Sequence, residues 1–102
     1  MFYVYILFSE VADRYYVGQS DDPERRLEEH NNAIKNSYTS KYRPWIMKKK
    51  YAVSESRGEA RRLESYIKKR LKSRREIEKL ITDDSVFDKL VQLVRAIPTS
   101  RD

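Results

Sequence analysis

From Phe2 to Phe8 the side chains alternate without a break. Phe2, Val4, Ile6 and Phe8 fall on one side of an extended chain, and Tyr3, Tyr5 and Leu7 on the other. A period of two predicts a β-strand, here with one fully apolar side. Tyr15-Tyr16-Val17 is a second β-rich run, separated from the first by Glu10 to Arg14. So short a connection predicts an antiparallel hairpin, because a parallel pair needs a long crossover. Gly18 is expected to end the second strand. The phenols of Tyr5 and Tyr16 are then expected near each other, partly exposed, on the sheet face away from the apolar side.

Asp22-Pro23-Glu24 offers an N-cap, a proline at the first helical position and an early carboxylate. These open a short helix through His30, closed by Asn31 and Asn32. Trp45 to Val53 reads as a third strand, with Lys48, Lys49 and Lys50 marking an edge or a solvent-facing stretch. Ser56-Arg57-Gly58-Glu59 and Ser73-Arg74-Arg75-Glu76 both have the form of a capping box, in which serine caps the helix and glutamate reaches back. Ala60, Leu63, Ile67 and Leu71 recur at helical spacing after the first box, and Ile77, Leu80 and Ile81 after the second. Ser85 is expected to cap a last helix, with Phe87, Leu90, Val91, Val94 and Ile97 on one side. The order β-β-α-β-α-α-α suits a small, mostly antiparallel sheet packed by helices, an α+β fold. In 102 residues, with glycine only at 18 and 58 and no linker or repeat, one domain is expected.

Composition removes several functions. Without cysteine there is no disulfide framework, thiol nucleophile or Cys-based zinc site. A single histidine excludes a multi-histidine metal site and leaves carboxylates with water, or with that histidine. No apolar stretch nears the ~20 residues of a membrane helix, and no export signal opens the chain, so the expected setting is cytoplasmic. The 22 basic and 16 acidic residues leave +6, unevenly spread. Residues 1–34 carry 3 basic and 7 acidic groups, residues 35–79 carry 16 and 5, and residues 80–102 carry 3 and 4. The central excess of +11 either neutralises phosphates or decorates solvated helix faces.

Arg26 and His30 lie four apart on one side of the short helix. A planar, permanently charged guanidinium beside an imidazole that titrates near neutrality suits chemistry at phosphate, although an exposed surface pair has the same spacing. Glu64 is the sharper anomaly. It follows Leu63 and precedes Ile67, so it borders the stripe that its helix buries. A carboxylate there needs a divalent ion, a phenol or a basic partner such as Arg61 or Lys68. Lys41, Tyr42, Arg43, Trp45, Lys48, Lys49 and Lys50 interleave cations with rings, as a nucleic-acid surface does, with core as the alternative place for Trp45. Arg61, Lys68, Lys69, Lys72 and Arg75 extend the basic face along the following helix. The candidate nucleic-acid contacts are thus Lys41, Arg43, Lys48, Lys50, Arg61 and Lys68, suited to backbone rather than sequence.

In order and spacing, Tyr3-Val4-Tyr5, Tyr16-Val17-Gly18, Arg26 with His30, and Glu64 resemble the GIY-YIG nuclease domain over roughly residues 2–80. The likeness is greatest to its short single-domain bacterial branch. It implies a nuclease domain over residues 1–82, with residues 83–102 as a helical extension of the same domain. The implied fold is a three-stranded antiparallel sheet flanked by helices. The implied activity is hydrolysis of DNA phosphodiesters with one divalent ion, Mg²⁺ or Mn²⁺. By resemblance Glu64 ligates the metal, Arg26 stabilises the phosphate, one of Tyr5 and Tyr16 helps activate water, and His30 receives or relays a proton.

Three departures stand out. Tyr3 occupies the place of the first motif's glycine, the loop Lys35-Asn36-Ser37-Tyr38-Thr39 lacks the extra histidine of some members, and no late asparagine follows. DNA is the expected partner, with specificity from this domain, a homodimer or a partner protein. Two functions are carried forward: a structure-selective endonuclease of repair or recombination, and a non-catalytic nucleic-acid-binding module on the same scaffold. A third reading makes the apolar side of the last helix, Phe87, Leu90, Val91 and Val94, a protein interface instead of a cover for the core.

Overall fold

A computed structural model of the chain describes residues 1–32 and 39–97. The loop segment Lys35 to Tyr38 lies outside the described residues. The elements are β1 (Phe2–Ser9), β2 (Arg14–Ser20), α1 (Pro23–Asn32), a 3-10 turn (Thr39–Tyr42), β3 (Trp45–Ser54), α2 (Arg57–Arg70), α3 (Arg74–Thr82) and α4 (Asp84–Ala96). The sheet is antiparallel throughout, in the order β2-β1-β3. This is the expected α+β architecture, a three-stranded sheet flanked by helices. In the β1–β2 turn Asp13 takes φ 54, the left-handed region that Asp tolerates better than most residues. Gly18 does not end β2, which continues to Ser20 because Tyr3 still offers Ser20 a pairing partner.

Because β1 is the central strand, both of its faces are covered, and the expectation of a single apolar side is corrected. Val4 and Ile6, with Val17, pack against Leu63 and Ile67 of α2, Ile77 and Leu80 of α3, and Phe87, Val91 and Val94 of α4. Tyr5 and Leu7 on the opposite face pack with Trp45, and Tyr16, Leu27, Tyr42 and Met47 close around them. Trp45 is therefore core. α4 also turns its apolar side inward: the Phe87 ring stacks on Tyr51 with centroids 4.4 Å apart. Phe87, Val91 and Val94 are thus spent on the core, with Leu90 partly buried beside them.

The caps explain the helix boundaries. Ser56 accepts the Glu59 amide at 3.3 Å, while the Glu59 carboxylate turns to Arg95 of α4 at 3.0 Å. Ser73 and Glu76 form the complete reciprocal box at α3. The cap of α4 is Asp83, not Ser85: Asp83 is extended, and its Oδ1 accepts the Ser85 amide at 2.9 Å. Asp83 also ends α3 by donating its amide to the Lys79 carbonyl, so one residue makes the corner that folds α4 back over the core.

Candidate active site

The register of the hairpin sets the site. Tyr5 pairs with Gly18 and Leu7 with Tyr16, so Tyr5 and Tyr16 project diagonally from one face, their ring centroids 6.5 Å apart. A Cβ at residue 18 would lie 2.5 Å from Cζ and Oη of Tyr5. Glycine is required there because the phenol lies directly over its backbone. Tyr5 is only 1% exposed, which corrects the expectation of two partly exposed phenols; Tyr16 alone is half-buried. Burial, with Tyr16 adding to it, pushes the Tyr5 phenol up to about 12 despite the opposing pull of Arg26. Tyr5 therefore holds its proton at neutral pH.

Helix α1 covers this face. Asp22 accepts the Arg25 amide at 3.2 Å, and Ser20 accepts the Asp22 amide at 2.9 Å, which fixes where the helix leaves β2. One turn apart, Arg26 and His30 then point at the phenols. The pair is not a surface pair, since His30 is 6% exposed. Its Nε2 lies 3.3 Å from the Tyr5 hydroxyl, and its ring meets Tyr16 edge-on at 5.0 Å. Burial first, and the Arg26 charge second, hold the imidazole below its ordinary pKa, so it is neutral and able to take a proton near pH 7. Arg26 donates to Glu29 at 2.6 Å, and its charge acts on the Tyr5 phenol. Burial opposes its charge, but those two partners outweigh burial and keep the guanidinium charged. Asn31, which the sequence marked only as a helix end, lies within α1 and clamps the start of β3: its amide group donates to the Trp45 carbonyl at 3.1 Å and accepts the Trp45 amide at 2.6 Å.

Glu64 sits on α2 at the border of the buried stripe, its side chain 20% exposed. Its charge acts on Tyr5, and it accepts from Lys68 at 2.8 Å. The Lys68 ammonium in turn lies 5.3 Å from the centre of the Tyr16 ring. Among the described residues no three His, Asp or Glu gather as a metal cage. A lone, half-sheltered carboxylate next to phenols fits a hard ion of the Mg²⁺ kind, which keeps several waters and takes oxygens from a substrate phosphate. It does not fit an ion that demands an all-protein shell.

The candidate nucleic-acid residues are spread around this centre. Lys50 pairs across from Tyr5, reaches Glu24 of α1 at 2.9 Å and lies over the Tyr3 ring at 5.2 Å. Lys68 is in the site itself, and Arg61 lies one turn before Glu64 on α2, exposed. Lys48 is the unopposed residue where the β1–β3 register shifts. Lys41 and Arg43 flank Tyr42, whose carbonyl accepts from Ser9 at 2.5 Å at the far end of β1. The face opposite the site holds Lys49, tied to Asp84 of α4.

On this α+β scaffold two phenols, an arginine, a histidine and a glutamate are carried by β1, β2, α1 and α2. The family model described as the GIY-YIG catalytic domain matches residues 1–78, and the chain belongs to that family, which indicates a nuclease-type fold. No curated protein matches it. Among the described residues no helix is long and apolar enough to cross a membrane.

Proposed function

We propose that the protein is a metal-dependent, structure-selective DNA endonuclease that hydrolyses phosphodiester bonds in repair or recombination. The observation that carries this is the convergence of Tyr5, Tyr16, Arg26, His30 and Glu64 around one partly dry face. In this reading residues 1–82 form the nuclease domain and residues 83–102 extend it, supported by the seating of Phe87, Val91 and Val94 in the common core. Sequence-independent affinity comes from Lys41, Arg43, Lys48, Lys50, Arg61 and Lys68, with further specificity from a second copy or a partner protein.

The roles follow from the geometry. Arg26, kept charged by its neighbours, holds the scissile phosphate and the charge that grows on it. Glu64 is the carboxylate that would hold the divalent ion, Mg²⁺ or Mn²⁺; when bound, that ion polarises a phosphoryl oxygen and offsets its charge. Tyr5, protonated and buried, positions His30 through their shared hydrogen bond. Tyr16 is the phenol that water can reach, and with neutral His30 it orients the attacking water and takes up its proton.

Purified protein is to be incubated with flapped, branched, nicked, single-stranded and plasmid DNA in Mg²⁺, Mn²⁺ or chelator. The expected result is metal-dependent cutting that Glu64→Gln and Arg26→Ala each reduce about 100-fold or more. Cutting that survives both changes overturns the site. Salt-sensitive binding with no cutting in either metal overturns the enzyme and supports the non-catalytic module, a reading favoured by the Lys68 ammonium that already sits on Glu64.

A further inference from the structure

A groove of about 530 Å³ runs along the outer edge of β2, between that strand and the corner that joins α2 to α3. Arg14, Tyr15 and Tyr16 form its strand wall, and Lys68, Lys72 and Arg74 its helical wall. Tyr16 and Lys68 belong to the candidate active site as well, so the groove opens from it. The lining carries four cations against the single carboxylate of Asp13, which is tied to Arg74 at 2.8 Å. Lys68 and Arg74 are steadied by Glu64 and Glu78 on the rim. Lys72 is exposed and forms no ion pair among the described residues.

We propose that this groove holds one or two unpaired nucleotides of the substrate strand, next to the phosphodiester positioned at Tyr16 and Arg26. The proposal rests on the nuclease reading and states which DNA it selects. Cavities of ~300–1,000 Å³ take a molecule of drug size, which a nucleotide is and a base pair with two backbones is not. Cations on both walls match successive phosphates, and the rings of Tyr15 and Tyr16 line the path for bases released from pairing. A strand that leaves the duplex at the cleavage point, as in a flap or fork, fills the groove, whereas a continuous or merely nicked duplex leaves it empty.

The test measures fluorescence anisotropy in chelator, with a labelled short oligothymidylate and a labelled blunt hairpin duplex as probes. Lys72→Glu is expected to weaken the oligothymidylate complex roughly tenfold and lower its salt slope by about 1, with the duplex changed no more than about twofold. Lys89→Glu, the same charge change at an exposed position of α4, moves neither probe. Arg14→Glu, on the opposite wall, repeats the Lys72 pattern and covers the case in which the first variant misfolds by circular dichroism. Equal weakening of both probes, or none, overturns the groove. A protein that binds oligothymidylate through Lys72 but cuts no DNA keeps the groove and sinks the nuclease reading, so the two failures are told apart.

Discussion

On the side of the sheet turned to α2, α3 and α4, Val4, Ile6 and Val17 meet Leu63, Ile67, Ile77, Leu80, Phe87, Val91 and Val94. On the side turned to α1, Tyr5 and Tyr16 meet an imidazole, a guanidinium and an indole. Both sides exclude water and both raise a phenol to about 12 by burial, Tyr51 on the first and Tyr5 on the second, but only the second also buries an imidazole beside a guanidinium. Burial there drives His30 down. A small domain tolerates such a face when the other supplies the apolar burial that holds the strands in place. The first, aliphatic side therefore supplies most of the apolar burial, and the second, aromatic side gathers the phenols, imidazole and guanidinium of the candidate site.

The sharpest way to break this division is to weaken the aliphatic side alone. Phe87→Ala removes a fully buried ring that stacks on Tyr51, and the expected loss is about 3–5 kcal/mol by urea denaturation. DNA binding by the fraction still folded is expected to stay unchanged. A Phe87→Ala protein with wild-type stability would remove α4 from the core and with it the whole contrast.

On the aromatic side the corresponding weak point is Gly18. Gly18→Ala drives a methyl into the Tyr5 phenol and is expected to cost about 1–3 kcal/mol through overpacking. In a Tyr5→Leu background, where the ring is gone, most of that cost disappears. Additive losses across the four proteins of the cycle would show that the clash is not what demands glycine.

The sequence disclosed the aliphatic side far better than the aromatic one, and the reason is physical. Strand alternation in Phe2 to Phe8, the Ser73 box and the helical recurrence of Ala60, Leu63 and Ile67 are local periodicities, and all of them hold. The candidate set Tyr5, Tyr16, Arg26, His30 and Glu64 was legible through its order and spacing, which resemble the GIY-YIG domain, and not from any one residue alone. Their burial was not legible. Whether Tyr5 is covered depends on β1 being central and on α1 crossing it, which no window around Tyr5 encodes. The need for glycine at 18 likewise arises from a phenol on another strand, and the Asn31 clamp from a strand that begins beyond the following loop. Ser85 has the local form of a cap, but the aspartate two residues earlier offers its oxygen in the same pattern and takes the position.

His30 sharpens the contrast through pH. Its folded pKa lies below the ordinary value of 6.5, so below that pH the unfolded chain binds the proton first and stability falls. Wild type and His30→Gln are expected to differ by a constant amount above about pH 6.5, with wild type losing ground as pH drops further. Urea denaturation of both proteins between about pH 5 and 8 measures this. A wild-type curve that gains on the variant in acid would mean that His30 has an anionic partner and is not held neutral.

The smallest expected effect on stability concerns the point where the two sides meet. Lys68 and Glu64 belong to the helix that covers the aliphatic face, yet they reach the edge of the aromatic one at Tyr16. Their pair is partly exposed, with side chains 46% and 20% accessible, so Lys68→Met is expected to change stability by less than about 1 kcal/mol. Its effect on Mn²⁺ is expected to be larger, because the Glu64 carboxylate loses the ammonium that competes for it. Water-proton relaxation titrations without DNA are therefore expected to show several-fold tighter Mn²⁺ binding by Lys68→Met, and the gain vanishes when Glu64→Gln is added. If Mn²⁺ affinity is the same in wild type and Lys68→Met, the carboxylate is no ion ligand, and Lys68–Glu64 is an ordinary helix-surface pair one turn long.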